Sequence, residues 1–206
     1  MKASILSLGS TYQQEGIILH FGPYLPKLTN REFYEFCQLN PELRIERTAE
    51  GDLVIMPPTG GKTGKTNSAL TTLLTQWAEA DGTGVVFDSS TGFTLPNGAI
   101  LSPDAAWVRR DRWDALTDEK KEEFPPIGPD FVAEIRSRSD SLKALHAKMR
   151  EYMANGAQLG WLIDPIEKKI SVYSAGADMV CHENPSKLAG DPVLPGFVLE
   201  ATRLWQ

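Results

Sequence analysis

The chain has 206 residues, of which 41% are hydrophobic and 23% charged, and its formal net charge is −6. This composition excludes a disordered or low-complexity chain, and the length suits a single domain with a sizeable core. The negative charge excludes a general nucleic-acid coat protein, which needs clustered Lys and Arg to neutralise phosphates, but it leaves room for an enzyme with a local basic patch.

The cysteines and the hydropathy pattern bear on the compartment. Cys37 and Cys181 are the only two cysteines, and they do not form a CxxC pair. This spacing excludes a zinc ribbon and a disulfide scaffold, and it fits a reducing environment. The sequence shows neither a signal-peptide pattern nor the roughly 18 continuous apolar residues of a membrane span. We therefore expect a cytoplasmic protein.

The first half of the chain predicts a helix followed by a hairpin. Thr29 and Glu32 have the spacing of a capping box, so we expect a helix to begin there and to end before Pro41. Two short apolar runs within residues 44–58 flank a turn near Gly51, which predicts two antiparallel strands.

A glycine-rich stretch before the next helix raises the possibility of a phosphate-binding P-loop. That motif needs a glycine, four further residues and then Gly-Lys-Ser/Thr. Here Thr59 stands where the first glycine is required, and Gly60 lies one residue too close to Gly64-Lys65. The spacing favours a flexible loop over residues 59–64 and a helix over residues 65–81, and nucleotide hydrolysis stays open as a less favoured alternative.

The second half predicts short strands, a helix and further strands. Strands are expected at residues 85–87, 93–95 and 104–108, followed by a charged helical insertion over residues 109–123. An apolar run around Glu134 predicts a buried strand. The next helix is capped by Ser139 or Asp140 and closed by Gly156, and strands follow at residues 159–163, 170–173 and 179–181. This order predicts a mixed sheet with helices on its faces.

Two carboxylates interrupt the apolar strands. Glu134 lies inside a buried run, where an ionised carboxylate costs several kcal/mol unless it is paired or binds a cation. Asp104 begins a strand about 30 residues upstream, and Lys148 falls at the edge of the apolar stripe of the following helix. These residues predict a divalent-metal site, although Glu134 as a buried partner of an arginine and Lys148 as a solvated side chain remain open.

Several motifs occur together in this chain, namely Ser102-Pro103-Asp104, the segment 129–137, Lys148 to Tyr152, Asn155-Gly156-Ala157 and the segment 160–165. Together they resemble the Uma-two family, a group of bacterial endonucleases in the PD-(D/E)XK, restriction-endonuclease-like superfamily. The resemblance covers roughly residues 28–173. It implies an α/β fold, a restriction-endonuclease-like mixed sheet flanked by helices in a single domain over residues 28–206, after an N-terminal segment over residues 1–27.

The resemblance also implies a chemistry. Asp104 and Glu134 would bind Mg²⁺ or Mn²⁺, with the Ile135 carbonyl as a third oxygen ligand, and the site would hydrolyse phosphodiester bonds in DNA. Lys148 would steer the attacking water or stabilise negative charge, and Glu46 corresponds to a further acidic residue of related nucleases.

The sequence departs from the superfamily pattern two residues after Glu134, where Arg136 replaces the usual lysine. Arginine stays charged at neutral pH, so it cannot act as a base, but it could stabilise a transition state. We expect Lys148 to supply the missing amine from the helix.

This departure also leaves a second class of function open, a nucleic-acid-binding relative that has lost catalysis. Basic residues near the site, namely Arg136, Arg138, Lys143 and Arg150, form either a phosphate track or an ordinary solvated face. A homodimer would suit double-strand cleavage.

Overall fold

The structure is a computed structural model that describes residues 16–22 and 26–205. The helices are α1 Asn30–Leu39, α2 Gly61–Asp81, α3 Arg110–Asp114, α4 Asp118–Glu122 and α5 Leu142–Ala154. The strands are β1 Ile17–Leu19, β2 Arg44–Arg47, β3 Leu53–Met56, β4 Gly84–Asp88, β5 Phe93–Thr94, β6 Ile100–Leu101, β7 Ala105–Arg109, β8 Phe131–Ile135, β9 Leu159–Asp164, β10 Lys169–Ser174, β11 Val180–Glu183, β12 Lys187–Ala189 and β13 Val198–Glu200. A 3-10 helix follows at Ala201–Arg203.

The central sheet has six strands in the order β11-β10-β9-β8-β7-β4. Only β8 and β9 run parallel within it, and the other neighbours are antiparallel. Every residue of β8 and of β9 is buried, because helices or chain segments cover both faces of the sheet. Strands at this position therefore read as continuous apolar runs, which makes any carboxylate within them conspicuous.

Each face of the central sheet has its own core. Alternate residues of β8, such as Phe131 and Ala133, pack with Leu70 and Leu74 of α2. The intervening residue Val132 packs on the opposite face with side chains of α5. Because side chains alternate along a strand, Glu134 belongs to the face that α5 covers.

A second sheet, in the order β1-β3-β2-β6-β5, lies beside the first and is antiparallel throughout. Phe33 of α1 packs on it against Ile45, Leu53 and Ile100. Strand β1 forms an edge, and all three of its residues are exposed. Gly16 precedes β1 at a point where a Cβ atom would lie 2.6 Å from the Ile55 carbonyl oxygen, so only glycine lets the two strands approach this closely.

The predicted mixed α/β fold is confirmed, and so is the capping box. The Thr29 hydroxyl accepts the Glu32 N–H, and the Glu32 carboxylate accepts the Thr29 N–H, as the spacing of the two residues predicts. The predicted strands around Glu134 and after Gly156 are also present. None of the described helices is long and apolar enough to cross a bilayer.

Two predicted helix starts are wrong. Helix α2 begins at Gly61, so most of the predicted flexible loop is helical, and the Gly64 N–H donates to the Gly60 carbonyl instead of facing a phosphate. This geometry removes the basis for the nucleotide-hydrolase alternative. Helix α5 is capped by Ser141, because the Asp140 carboxylate accepts the Ser137 N–H within a turn that precedes the helix.

Candidate active site

The pairing of β7 and β8 brings two carboxylates together. Ala105 lies opposite Ala133 in this antiparallel pair. The same register, extended by one residue, sets Asp104 opposite Glu134 at the end of β7. The Asp104 Oδ2 atom accepts the backbone N–H of Ile135 at 2.7 Å. The strand register therefore produces the acidic pair.

A third group holds Asp104 from helix α2. The Asn67 side-chain amide donates to Asp104 Oδ1 at 2.7 Å, so both carboxylate oxygens of Asp104 have a donor. The Asn67 Oδ1 atom is buried and has no hydrogen-bond partner in the described part of the chain. An amide oxygen is a hydrogen-bond acceptor and a hard metal ligand, and this one lies beside the Asp104 carboxylate.

Helix α5 supplies the cation of the site. The Lys148 ammonium lies 2.8 Å from Glu134 Oε1 and 2.8 Å from Glu46 Oε1. It also donates to the Ser102 carbonyl oxygen at 3.2 Å. Tyr152, one helical turn further, donates its hydroxyl to Glu134 Oε1 at 3.1 Å. These contacts tie α5 to β8 and to the second sheet.

Glu46 joins the site from strand β2. It exposes only 4% of its surface, and its Oε1 atom accepts the Ser102 N–H at 2.8 Å as well as a Lys148 proton. Glu134 is 5% exposed. Two buried carboxylates therefore contact one ammonium group, and Asp104 lines the same pocket.

The charges of this cluster do not balance. With every group ionised, three carboxylates and one ammonium carry a net charge of −2. Burial raises the pKa of Glu134 from 4.5 to about 8; the Lys148 ammonium opposes this shift, and the carboxylates of Asp104 and Glu46 add to it. Burial also raises the pKa of Asp104, although the Ile135 N–H, Lys148 and Asn67 counteract it. Burial alone would lower the pKa of Lys148, but Glu134 and Glu46 outweigh it and hold that pKa above its usual value.

The oxygen atoms of this cluster fit one divalent cation, whose charge would favour the ionised carboxylates. Asp104 and Glu134 offer carboxylate oxygens, and the described hydrogen bonds of Glu134 all end on Oε1. Within residues 16–22 and 26–205, no group of three or more acidic, His or Cys side chains is arranged to hold a metal ion. Mg²⁺ does not require one, because it commonly binds through one or two carboxylates and retains several waters.

A pocket of about 250 Å³ opens over these residues. Its floor includes Glu46, Asp104, Glu134, Ile135 and Lys148, and its walls come from strands β1 and β3 and from the N-terminal ends of α2 and α5. A larger groove of about 1030 Å³ lies on the other side of α5, along Lys143, His146 and Arg150, and does not include these carboxylates.

The structure places Arg136 outside the lining of this pocket. Its Nη1 atom lies 2.7 Å from Asp164 Oδ2, at the ends of the parallel strands β8 and β9. The register accounts for this pair, because Ile135 lies opposite Ile163 and the next residues are Arg136 and Asp164. The structure therefore brings together Glu46, Asp104, Glu134, Ile135 and Lys148. Arg136 instead pairs with Asp164, outside the pocket.

Sequence reasoning missed the contributions of Asn67 and Tyr152. Tyr152 resembles an ordinary apolar residue of the α5 stripe, but its spacing of four residues from Lys148 places both on one helix face and could have indicated a shared partner. Asn67 carries no such signal, because nothing local relates helix α2 to Asp104, which is 37 residues away.

We expect Asn67→Ala to weaken divalent-metal binding or turnover by about 10- to 100-fold, because it removes a donor that orients Asp104. Metal titration followed by a cleavage assay measures both quantities. The adjacent exposed Ser68 provides the control, and Ser68→Ala should behave as the wild type. Equal metal affinity and turnover in the two variants would show that Asn67 does not position Asp104.

Comparison with known proteins identifies the family. The Uma2 family profile, described as "Putative restriction endonuclease", matches residues 31–202. The crystal structure of "a putative nuclease belonging to DUF820" from Anabaena variabilis ATCC 29413 is similar in fold, with a TM-score of 0.71 and 21% identity over 86% of this chain and 97% of that chain.

Other comparisons add little. The cryoEM structure of the DrdV-DNA complex gives a TM-score of 0.34 and 14% identity over 55% of this chain and 10% of that chain, which is too low to support an argument. No curated protein matches the sequence. Since the family profile spans most of the chain, the predicted family is confirmed, and the chain belongs to the Uma2 family.

Proposed function

We propose that this protein is a metal-dependent endonuclease that hydrolyses phosphodiester bonds in DNA. One observation carries the proposal: the carboxylates of Glu46 and Glu134 both pair with Lys148 in a pocket that Asp104 also lines. The family description, that of a restriction endonuclease, supports the choice of reaction.

Asp104 and Glu134 would hold Mg²⁺ or Mn²⁺, together with the Ile135 carbonyl oxygen. A divalent ion bound there would lower the pKa of a coordinated water and polarise the scissile phosphate. Asn67 and the Ile135 N–H keep Asp104 in one orientation, so the protein does not have to reorganise this ligand during the reaction.

Lys148 would act on the substrate as a hydrogen-bond donor. Its ammonium group is oriented by Glu46 and the Ser102 carbonyl, and it could steer the attacking water or stabilise negative charge that develops on the phosphate. In this role it replaces the lysine that the superfamily carries at the position of Arg136. We assign Arg136 the structural task of joining β8 to β9 through Asp164.

A DNA-binding relative without catalysis is the second candidate. The observation that favours it is the engagement of Arg136 with Asp164, which leaves the usual lysine position without an amine at the site. Such a protein would bind DNA and metal without cleaving the strand.

A cytoplasmic location and a homodimer remain predictions from the sequence.

The test is cleavage of two DNA substrates, a supercoiled plasmid and a circular single strand, with Mg²⁺, with Mn²⁺ and with a chelator. We expect cleavage that requires the divalent ion and returns when the ion is restored after chelation. Cleavage that persists in the chelator would contradict the metal-dependent mechanism, and DNA binding without cleavage under all conditions would favour the second candidate.

A further inference from the structure

The candidate catalytic groups are the most deeply buried part of a pocket that opens to solvent. Glu46 and Glu134 expose 4% and 5% of their surfaces, and the pocket above them measures about 250 Å³. That space corresponds to about eight water molecules at roughly 30 Å³ each. Because these carboxylates are so deeply buried, a phosphate on a strand that has left its partner can approach them more closely than a phosphate within a duplex.

The pocket also has too few free basic side chains to suit a duplex. A duplex carries one phosphate charge per roughly 1.7 Å, and its binding depends on free Lys and Arg contacts. The pocket lining contains two basic residues, Arg44 and Lys148. Arg44 donates to the Ser89 carbonyl and Lys148 is paired with Glu46 and Glu134, so both cations are already engaged.

The walls suit the parts of an unpaired nucleotide. Apolar side chains of Ile18, Val54, Met56 and Leu145 offer a surface for a base, which is free to make such contacts only when it is unstacked. Hydroxyl groups of Thr63 and Ser139 lie near the beginnings of α2 and α5, and hydroxyls of this kind contact phosphate and sugar oxygens.

Strand β1 contributes Ile18 to this pocket, and because Ile18 is 50% exposed it lies at the solvent-facing edge of the pocket. Ile18 lines it, whereas the neighbouring Ile17 and Leu19 do not. β1 is held against β3 in register, with Ile18 opposite Val54, and the close approach at Gly16 lets it lie there. The Ile18 side chain is therefore placed by backbone pairing.

We propose that the site acts on an unpaired DNA strand and that β1, through Ile18, excludes the duplex. This inference rests on the proposed nuclease function and adds the class of substrate. A strand that is already single, or unpaired within a bubble, avoids the free-energy cost of leaving the base stack before it enters the pocket.

The experiment uses one labelled oligonucleotide as a free strand, as a fully paired blunt duplex and within an internal bubble. The wild type should cleave the free strand and the bubble at least about tenfold faster than the duplex. Ile18→Ala should reduce this preference by about threefold or more, because it widens the entrance. Ile17→Ala, on the same exposed strand but outside the pocket, should keep the wild-type preference.

Binding in Ca²⁺, followed by fluorescence anisotropy of the same three oligonucleotides, provides a readout that does not depend on turnover and should show the same order. Duplex cleaved by the wild type as fast as the free strand would overturn the inference while leaving the nuclease function in place. An equal change of preference in Ile17→Ala and Ile18→Ala would also overturn it. Failure to cleave any of the three in Mg²⁺ or Mn²⁺ would overturn the proposed function and this inference together.

Discussion

Replacing Glu134 with Gln is expected to lower DNA cleavage by about a thousandfold, since a catalytic metal supplies several kcal/mol of transition-state stabilisation. Gln keeps the volume of the side chain and can still accept the Tyr152 hydroxyl, but it removes the charge that would bind the proposed cation. Initial rates of strand cleavage at saturating Mg²⁺ measure the effect.

We also expect Glu134→Gln to change how the free energy of unfolding depends on pH. The pKa of Glu134 is about 8 in the folded protein, against 4.5 ordinarily, so the folded state retains a proton that the unfolded chain releases between these values. Wild-type stability should therefore fall as the pH rises through this window, by up to about 1.4 kcal/mol per pH unit. Glu134→Gln has no such proton. Its free energy of unfolding should therefore rise relative to that of the wild type as the pH increases through the window.

Urea unfolding in metal-free buffer, at pH values below, within and above that window, measures this difference. Asp164→Asn is the matched control, because Asp164 is a buried carboxylate that pairs with Arg136 outside the pocket. It should lower stability and retain cleavage. A large loss of stability in Glu134→Gln at every pH would mean that its pairing with Lys148 primarily holds the fold together.

Lys148→Met should destabilise the metal-free protein by about 3–5 kcal/mol, because it leaves buried carboxylates without their cation. Glu46 and Glu134 both lose a partner at 2.8 Å. The loss should be greatest at high pH, where more of the carboxylates are ionised. A divalent ion would offset the charge, so Mg²⁺ should raise the melting temperature of Lys148→Met more than that of the wild type.

The control for this variant is Lys143→Met, on the same helix but exposed and outside the pocket. It should leave both stability and the response to Mg²⁺ unchanged. A deficit in Lys148→Met that is insensitive to Mg²⁺ would contradict a role for this cluster in binding the ion. Absence of any deficit would mean that the carboxylates do not depend on Lys148.

The sequence predicts the acidic pair because charged carboxylates occur in apolar segments that form buried strands. Glu134 stands out within an apolar strand, and Asp104 begins another such strand. Lys148 stands out at the edge of a helix stripe. A carboxylate inside a buried run needs a partner, so these residues indicate a site even before any tertiary contact is known.

Other parts of the site depend on tertiary contacts that no local pattern encodes. Glu46 meets Lys148 across 102 residues, and it does so because the second sheet lies against the end of the first. The family resemblance implied that Arg136 lies at the site, because it occupies the position of the superfamily lysine two residues after Glu134. However, β8 ends at Ile135, and beyond the strand the side chain is directed by its parallel neighbour, Asp164. The strand pairing therefore decides that Glu46 lies at the site and Arg136 does not.

The most direct test is a calorimetric titration of Mg²⁺ and Mn²⁺ into the wild type and the Asp104→Asn/Glu134→Gln double variant. The proposed site predicts one divalent ion per wild-type chain and no measurable binding to a double variant that remains folded by circular dichroism. The same binding curve for both proteins, or no binding to either, would contradict a metal centre built on Asp104 and Glu134.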